Sequence, residues 1–119
     1  MDRLKTIHEV YANWCPHCVP LAHDELKKMS EGLGVELKQY DIDTDAVKQA
    51  DALVKKYGDW SEDYFIPQIF LEFEDGDILH VLTGYNEGTA FTKKAFENLF
   101  KSKLYANLKA KSAVSLSRA

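Results

Sequence analysis

The sequence predicts a three-layer α/β fold in which a mixed four-stranded sheet is flanked by helices on both faces. Its apolar residues switch between strand-like and helical spacing in the order β-α-β-α-β-β-α. The opening strand–helix–strand unit implies parallel strands joined by a right-handed crossover. The last two strands flank the pair Asp75-Gly76, which favours a tight hairpin turn between antiparallel strands. With 119 residues, the chain can form one domain with a modest core.

The first half of the chain alternates strands and helices. Residues 6–12 are rich in β-favouring side chains and predict the first strand. Residues 16–33 carry apolar side chains at helical spacing and predict a helix that a pair of glycines ends, in which Pro20 bends or tightens a turn. Residues 35–42 predict the second strand, and the apolar face of residues 46–57 predicts the second helix.

The second half adds a hairpin and a final helix. Residues 59–66 are predicted to form a loop, and residues 68–73 and 78–83 the two strands of the hairpin. An apolar stripe over residues 91–104 predicts one last helix. From residue 109 to residue 119 the chain is rich in Ser, Ala and Lys, so we expect a flexible tail there.

Composition narrows the class of protein. The predicted domain spans residues 1–108. The whole chain has a formal net charge of −4 and no basic cluster, which argues against a nucleic-acid partner. No apolar run of about 18 residues is present, so no membrane span is expected. The first residues lack the apolar stretch of a signal peptide. We therefore expect a cytoplasmic monomer, although a processed form that had lost its signal would look the same.

The two cysteines of the chain lie in one motif, Cys15-Pro16-His17-Cys18, which follows a strand and opens a helix. A bridge this short constrains the unfolded chain little, so the pair is predicted to serve reactivity rather than stability. A helix N-terminus favours the thiolate, the nucleophilic form of cysteine, and a protonated His17 would add a positive charge. Pro16 suits the first helical turn. Cys15 is predicted to be the exposed nucleophile, and Cys18 the resolving thiol.

A zinc site is the structural alternative for this pair. Zinc takes four ligands, commonly from two Cys or His pairs at matched spacing. His17 and His23 are nearby in the sequence, but no second pair exists. A binding module that holds metal or senses redox state therefore stays open as a non-enzymatic alternative.

Two segments resemble the thioredoxin-like superfamily. Residues 10–15, Val-Tyr-Ala-Asn-Trp-Cys, are similar to the strand and turn that lead into its active site. Residues 66–76, from Ile-Pro to Asp-Gly, are similar to its cis-proline segment and hairpin, and Gly84 also fits. The resemblance covers residues 6–105. It implies a thiol–disulfide oxidoreductase without an organic cofactor, whose partners are protein disulfide clients and either an upstream thiol reductase or glutathione.

The resemblance also implies roles for three residues. Pro67 is expected to be a cis-proline that faces the cysteines, and Ile66 to offer its backbone to an extended client segment. Glu9 lies six residues before Cys15, where thioredoxins have a buried aspartate that handles the proton of the resolving cysteine. The alternative for Glu9 is an ordinary outward-facing strand residue.

The chain departs from the family pattern between its cysteines. Thioredoxins usually carry Gly-Pro there, whereas Pro16-His17 resembles the periplasmic oxidase DsbA, whose large helical insertion has no counterpart here. A sequence that begins at the first active-site strand resembles the smaller glutaredoxin layout. A glutathione-dependent, glutaredoxin-like reductase is therefore the alternative within the same chemistry.

Four aromatic residues lie near the predicted site. Trp14, just before the nucleophile, is predicted to lie on the surface. Trp60, Tyr64 and Phe65 in the loop before Pro67 either form a lip of the client groove or cap the core, and Trp60 is the one most expected to be exposed.

Overall fold

The computed structural model describes residues 2–85 and 88–112, in which four strands and four regular helices are present. A short kinked helical segment, His17–Ala22, precedes the first regular helix. The elements in chain order are β1 (Leu4–Tyr11), α1 (His23–Leu33), β2 (Glu36–Asp41), α2 (Val47–Tyr57), β3 (Gln68–Phe73), β4 (Ile78–Thr83), α3 (Thr89–Phe100) and α4 (Lys103–Ala110). No helix in these ranges is long and apolar enough to cross a membrane.

The four strands form one mixed sheet in the order β2-β1-β3-β4. β1 runs parallel to β2 and antiparallel to β3, and β3 runs antiparallel to β4. In this register Ile7 on β1 lies opposite Leu37 on β2 and Leu71 on β3. The strand order and directions confirm the predicted α/β thioredoxin-like fold.

Helices cover both faces of the sheet, because successive residues of a strand point to opposite faces. Ile7 packs with the buried residues of α1, α3 and α4 on one face. Val10 packs with Ala50 and Val54 of α2 on the other face, in the same cluster as both cysteines. The candidate site therefore belongs to the α2 side of the core.

Two predicted chain reversals are present where glycine supplies a positive φ. Gly34, with φ of 68°, ends α1 in the left-handed conformation, and its backbone N–H donates to the Ser30 carbonyl. Gly76, with φ of 95°, lies in the turn between β3 and β4. Both strands of this hairpin have the predicted bounds, since an Asp-Gly pair fixes the turn between them.

The helix predicted over residues 16–33 is not continuous. Val19 is extended, with φ of −127° and ψ of 118°, the Val19–Pro20 peptide bond is cis, and regular helix begins at His23. Proline lacks the backbone N–H that a helix needs and disfavours helical geometry in the preceding residue. The physical effect of Pro20 is thus larger than a bent or tightened turn.

The final helix predicted from one stripe is two helices, α3 and α4. α3 ends at Phe100, and Ser102 caps α4 by accepting a hydrogen bond from the Tyr105 N–H on its side-chain oxygen. The apolar stripe continues across the break, so its periodicity alone did not reveal it. α4 extends through Ala110, past the predicted start of the tail, and residues 113–119 of the predicted tail lie outside the described residues.

Candidate active site

The turn after β1 presents the two cysteines. The Cys15 N–H donates to the Ala12 carbonyl at 3.2 Å, and the Cys15 carbonyl accepts from the N–H groups of Cys18 and Val19, both at 3.0 Å. Pro16 has the helical φ of −68° and ψ of −22° that are expected of a proline in a first turn. These contacts place both sulfurs at the end of β1 nearest the loop before β3.

The two sulfurs differ in their access to solvent. Cys15 is 3% exposed and Cys18 is 0% exposed, so both are buried thiols. Cys15 nevertheless lines an open groove of about 560 Å³, and Cys18 is not among the groove's lining residues. The expectation of an exposed Cys15 is corrected, because the surrounding turn and loop cover its side chain except towards the groove.

The cis-proline segment lies directly against Cys15. The Ile66–Pro67 peptide bond is cis, as the resemblance implied, and the Cys15 thiol lies 3.8 Å from the Ile66 carbonyl oxygen. The Gly84 N–H donates to the Pro67 carbonyl at 2.8 Å. A Cβ atom at Gly84 would lie 2.6 Å from Pro67 Cδ, so the end of β4 needs a glycine to approach the proline this closely.

The environment of Cys18 favours the protonated thiol. Burial raises the pKa of Cys18 far above its ordinary value, and a hydrogen bond with the Cys15 side chain raises it further. A backbone hydrogen bond at Ala12 acts in the opposite direction. Cys18 is therefore a buried thiol that lies close to Cys15 in the same core cluster.

Glu9 is fully buried, which overturns its interpretation as an outward-facing strand residue. Its carboxylate accepts hydrogen bonds from the Gln39 side chain at 2.9 Å and pairs with Nδ1 of His23 at 2.8 Å. Burial raises the pKa of Glu9, and both partners oppose that rise. The charge of Glu9 also makes a small contribution to the raised pKa of Cys18, so the carboxylate lies within electrostatic reach of the thiol.

The partners of Glu9 were not found from the sequence. Gln39 lies beside Glu9 in the parallel register of β1 and β2, and His23 is the first residue of α1. The available signal was Glu9 itself, because a carboxylate that is buried requires hydrogen-bond or charge partners. Nothing in the spacing of His23 indicates this role.

His17 lines the groove beside Cys15, and its ring contacts a residue of α3, a helix from the C-terminal part of the chain. Its Nδ1 lies 2.7 Å from the hydroxyl oxygen of Thr92, a buried residue in the first turn of α3. No sequence pattern indicates Thr92, which is 75 residues away along the chain. This contact orients the imidazole at the mouth of the site.

The aromatic residues divide between surface and groove. Trp14 is 67% exposed, as predicted, and its indole N–H donates to the Asp43 carboxylate at 2.9 Å. Tyr64 and Phe65 both line the groove. Phe65 is exposed, whereas Tyr64 is half-buried and also packs against the core cluster, so Tyr64 fits both interpretations. Trp60 is exposed but is not among the residues that line the groove.

The alternative of a metal site requires a set of ligand side chains, and residues 2–85 and 88–112 do not provide one. Within these ranges, no group of three or more His, Cys, Asp or Glu side chains is placed to hold a metal ion. The cysteine pair has one thiol at an open groove, a second buried thiol close to it, and the buried carboxylate of Glu9 within electrostatic reach.

Comparison with known proteins gives likenesses to solved structures. No protein-family model matches the chain, and no curated protein matches it. The reduced C-terminal domain of DsbD from Neisseria meningitidis is 20% identical, with 82% of each chain covered and a TM-score of 0.45. The first two thioredoxin domains of Eps1p from Saccharomyces cerevisiae are 21% identical, with 88% of this chain and 40% of that chain covered and a TM-score of 0.36. The fold assignment accordingly rests on the strand order of the chain itself.

Proposed function

We propose that this chain catalyses dithiol–disulfide exchange with protein clients, with Cys15 as the nucleophile and Cys18 as the resolving thiol. One observation carries the proposal. Cys15 lines an open groove against the Ile66 carbonyl, while Cys18 is fully buried close by and does not line the groove. A client sulfur that enters the groove therefore meets Cys15, whereas Cys18 is covered by the fold.

In the first step the Cys15 thiolate attacks one sulfur of a client disulfide. A Cys15–client S–S bond forms as the client's own S–S bond breaks, and the second client sulfur leaves as a thiolate that takes up a proton. Ile66 lines the groove with its carbonyl oxygen 3.8 Å from the Cys15 sulfur, and its backbone is the proposed guide that aligns an extended client segment beside Cys15.

In the second step Cys18 loses its proton and attacks the Cys15 sulfur. The Cys15–Cys18 disulfide forms, and the first client sulfur leaves as a thiolate. The client disulfide has then gained two electrons from the dithiol. Glu9 is the proposed acceptor of the Cys18 proton, since its own pKa is raised by burial. His23, with a side chain 25% exposed, links that carboxylate to solvent.

Continued turnover requires a second partner that restores the dithiol. An upstream thiol reductase or glutathione would supply those two electrons by the reverse exchange. A reducing compartment, the cytoplasm, is the proposed location, because thiols are kept reduced there.

The test is to trap and identify the mixed disulfide. Cys18→Ser, mixed with an oxidised client protein, should accumulate a covalent adduct at Cys15 that dithiothreitol releases. Cys15→Ser is the matched control and should form no adduct. Turnover of the intact chain, measured with and without glutathione, separates the glutaredoxin-like alternative. An adduct at Cys18 in the control, or no turnover of any protein disulfide, would contradict the proposal.

A further inference from the structure

The groove beside Cys15 carries charge of one sign. Three of its lining residues are carboxylates, Asp51, Glu62 and Asp63, and none of the described lining residues is a lysine or an arginine. A fourth carboxylate, Asp43, is fixed at the groove's edge by the indole N–H of Trp14. A cleft lined by one sign of charge concentrates ligands of the opposite sign.

The same groove presents aromatic rings. Trp14, Tyr64 and Phe65 line it. The Phe65 ring meets Tyr85 at a centroid distance of 5.4 Å, and Tyr85 meets Phe91 at 5.9 Å. Phe65 and Phe91 are both exposed, so the aromatic surface continues past the groove towards the start of α3.

A cation–π contact within the chain is present at the loop of residues 59–66, which borders the groove. Lys55 places its Nζ 4.6 Å from the centroid of the Trp60 ring, and Trp60 in turn meets Tyr64 at 5.6 Å. Cations are attracted to the faces of such rings, more strongly when carboxylates are close by. Aromatic faces and carboxylates are thus two separate features of the groove that favour the same ligand group.

We propose that the client of this site is an extended protein segment that carries lysine or arginine beside its disulfide. The inference rests on the proposed exchange at Cys15 and adds the chemistry of the segment that enters the groove. Its apolar part packs on Tyr64 and Phe65, while its cationic side chains lie against the aromatic faces and the carboxylates of Glu62 and Asp63. An acidic segment would be repelled by the same carboxylates.

The test uses two short peptides that differ only in the residues flanking a central cysteine, arginine in one and glutamate in the other. Each cysteine is blocked as a mixed disulfide with thionitrobenzoate. Attack by Cys15 on the peptide sulfur forms the Cys15–peptide disulfide and releases the coloured thionitrobenzoate anion. We expect the arginine peptide to react about tenfold faster at low salt, with the advantage shrinking as ionic strength rises.

Charge-neutralising variants locate the effect. Glu62→Gln with Asp63→Asn should reduce the preference for the arginine peptide several-fold. The matched control, Glu31→Gln with Glu97→Gln, removes the same charge from exposed helix positions that do not line the groove and should keep the preference. Equal rates for the two peptides in an active protein would overturn this inference alone. Failure to react with either peptide would overturn the proposed exchange as well.

Discussion

Glu9 is a carboxylate in an unusual environment, because it is fully buried. A carboxylate buried on a strand loses its hydration, and a histidine and an amide replace only part of it. The protonated form is favoured, which raises the pKa of Glu9 above its ordinary value. The carboxylate lies within electrostatic reach of Cys18, for whose proton it is the proposed acceptor.

The first prediction concerns Glu9→Gln. Because the folded pKa of Glu9 is raised, its contribution to stability is present below the unfolded pKa and is lost as pH rises through the folded pKa. The glutamine of the variant does not ionise, so the variant does not lose this stability. The free energy of unfolding of the variant should therefore increase relative to that of the parent as pH rises. Urea unfolding of the reduced proteins over a pH series measures the difference.

A second readout separates proton transfer from stability. Resolution of a Cys15 mixed disulfide should slow in Glu9→Gln by about 100-fold at neutral pH, since general bases commonly contribute that much or more. Glu31→Gln, on the exposed side of α1, should change neither property. Parallel stability curves together with an unchanged resolution rate would remove Glu9 from the mechanism.

At the scale of elements, the predicted bounds of strands and helices were most accurate where turn-forming residues and the apolar side-chain pattern indicated the same boundary. The Asp75-Gly76 pair fixed β3 and β4 to their observed ends. The apolar stripe misled at Ser102, because side-chain periodicity continues across that break. At Pro20 the predicted helix is interrupted because proline cannot continue it. At such breaks, proline and capping signals are better guides than periodicity.

The residues of the candidate site also fall into two groups, those that a local sequence motif indicated and those that it did not. A compact motif and a cis-proline segment indicated Cys15, Cys18 and Pro67, and each lies at the groove or directly beside it. His23 and Thr92 come from helices whose contacts depend on the tertiary arrangement. Sequence spacing carries no information on such contacts until the register of the sheet is known.

The second prediction concerns the approach of β4 to the cis-proline. Gly84→Ala places a methyl group against Pro67 Cδ at 2.6 Å and against the Thr92 hydroxyl oxygen at 2.9 Å. We expect a loss of stability of about 1–3 kcal/mol from overpacking, and slower client exchange because Pro67 must shift. Chemical denaturation and the trapping rate of Cys18→Ser in this background measure the two effects.

Gly32→Ala is the control for that substitution. Gly32 lies in α1, where an added methyl group would meet nothing within 4 Å, and its φ is not positive. Alanine there should stabilise the protein by about 0.5–1 kcal/mol and leave exchange unchanged. A Gly84→Ala protein as stable and active as the parent would contradict the prediction, because it would show that the end of β4 can move away from Pro67 at little cost.

For the molecule as a whole, the two faces of the sheet hold carboxylates whose stability contributions respond to pH in opposite directions, Glu9 on β1 and Glu72 on β3. His8 neighbours Glu9 on the strand and therefore points to the other face, where its Nε2 lies 2.8 Å from Glu72 and its Nδ1 lies 2.7 Å from the Tyr40 hydroxyl. The hydrogen bond with His8 holds the pKa of Glu72 below its ordinary value. Glu72 thus contributes stability above its unfolded pKa, where Glu9 loses it.

The third prediction follows for Glu72→Gln. Near neutral pH the variant should be less stable by about 1.5 kcal/mol, a typical value for a hydrogen bond to a charged group. The difference should vanish as pH falls through the folded pKa of Glu72, because the parent's carboxylate is then protonated too. Unfolding curves over an acid pH series test this. A difference that grows in acid would have the wrong sign.

The contact between Cys15 and Ile66 joins positions 51 residues apart, and this separation has a consequence during synthesis. A ribosome adding about 5–20 residues per second needs about 3–10 s to make that stretch. Throughout this interval the nascent chain carries Cys15 without the segment that lies against it. The contact with Ile66 and the burial of Cys15 that goes with it therefore do not exist until that stretch has been made.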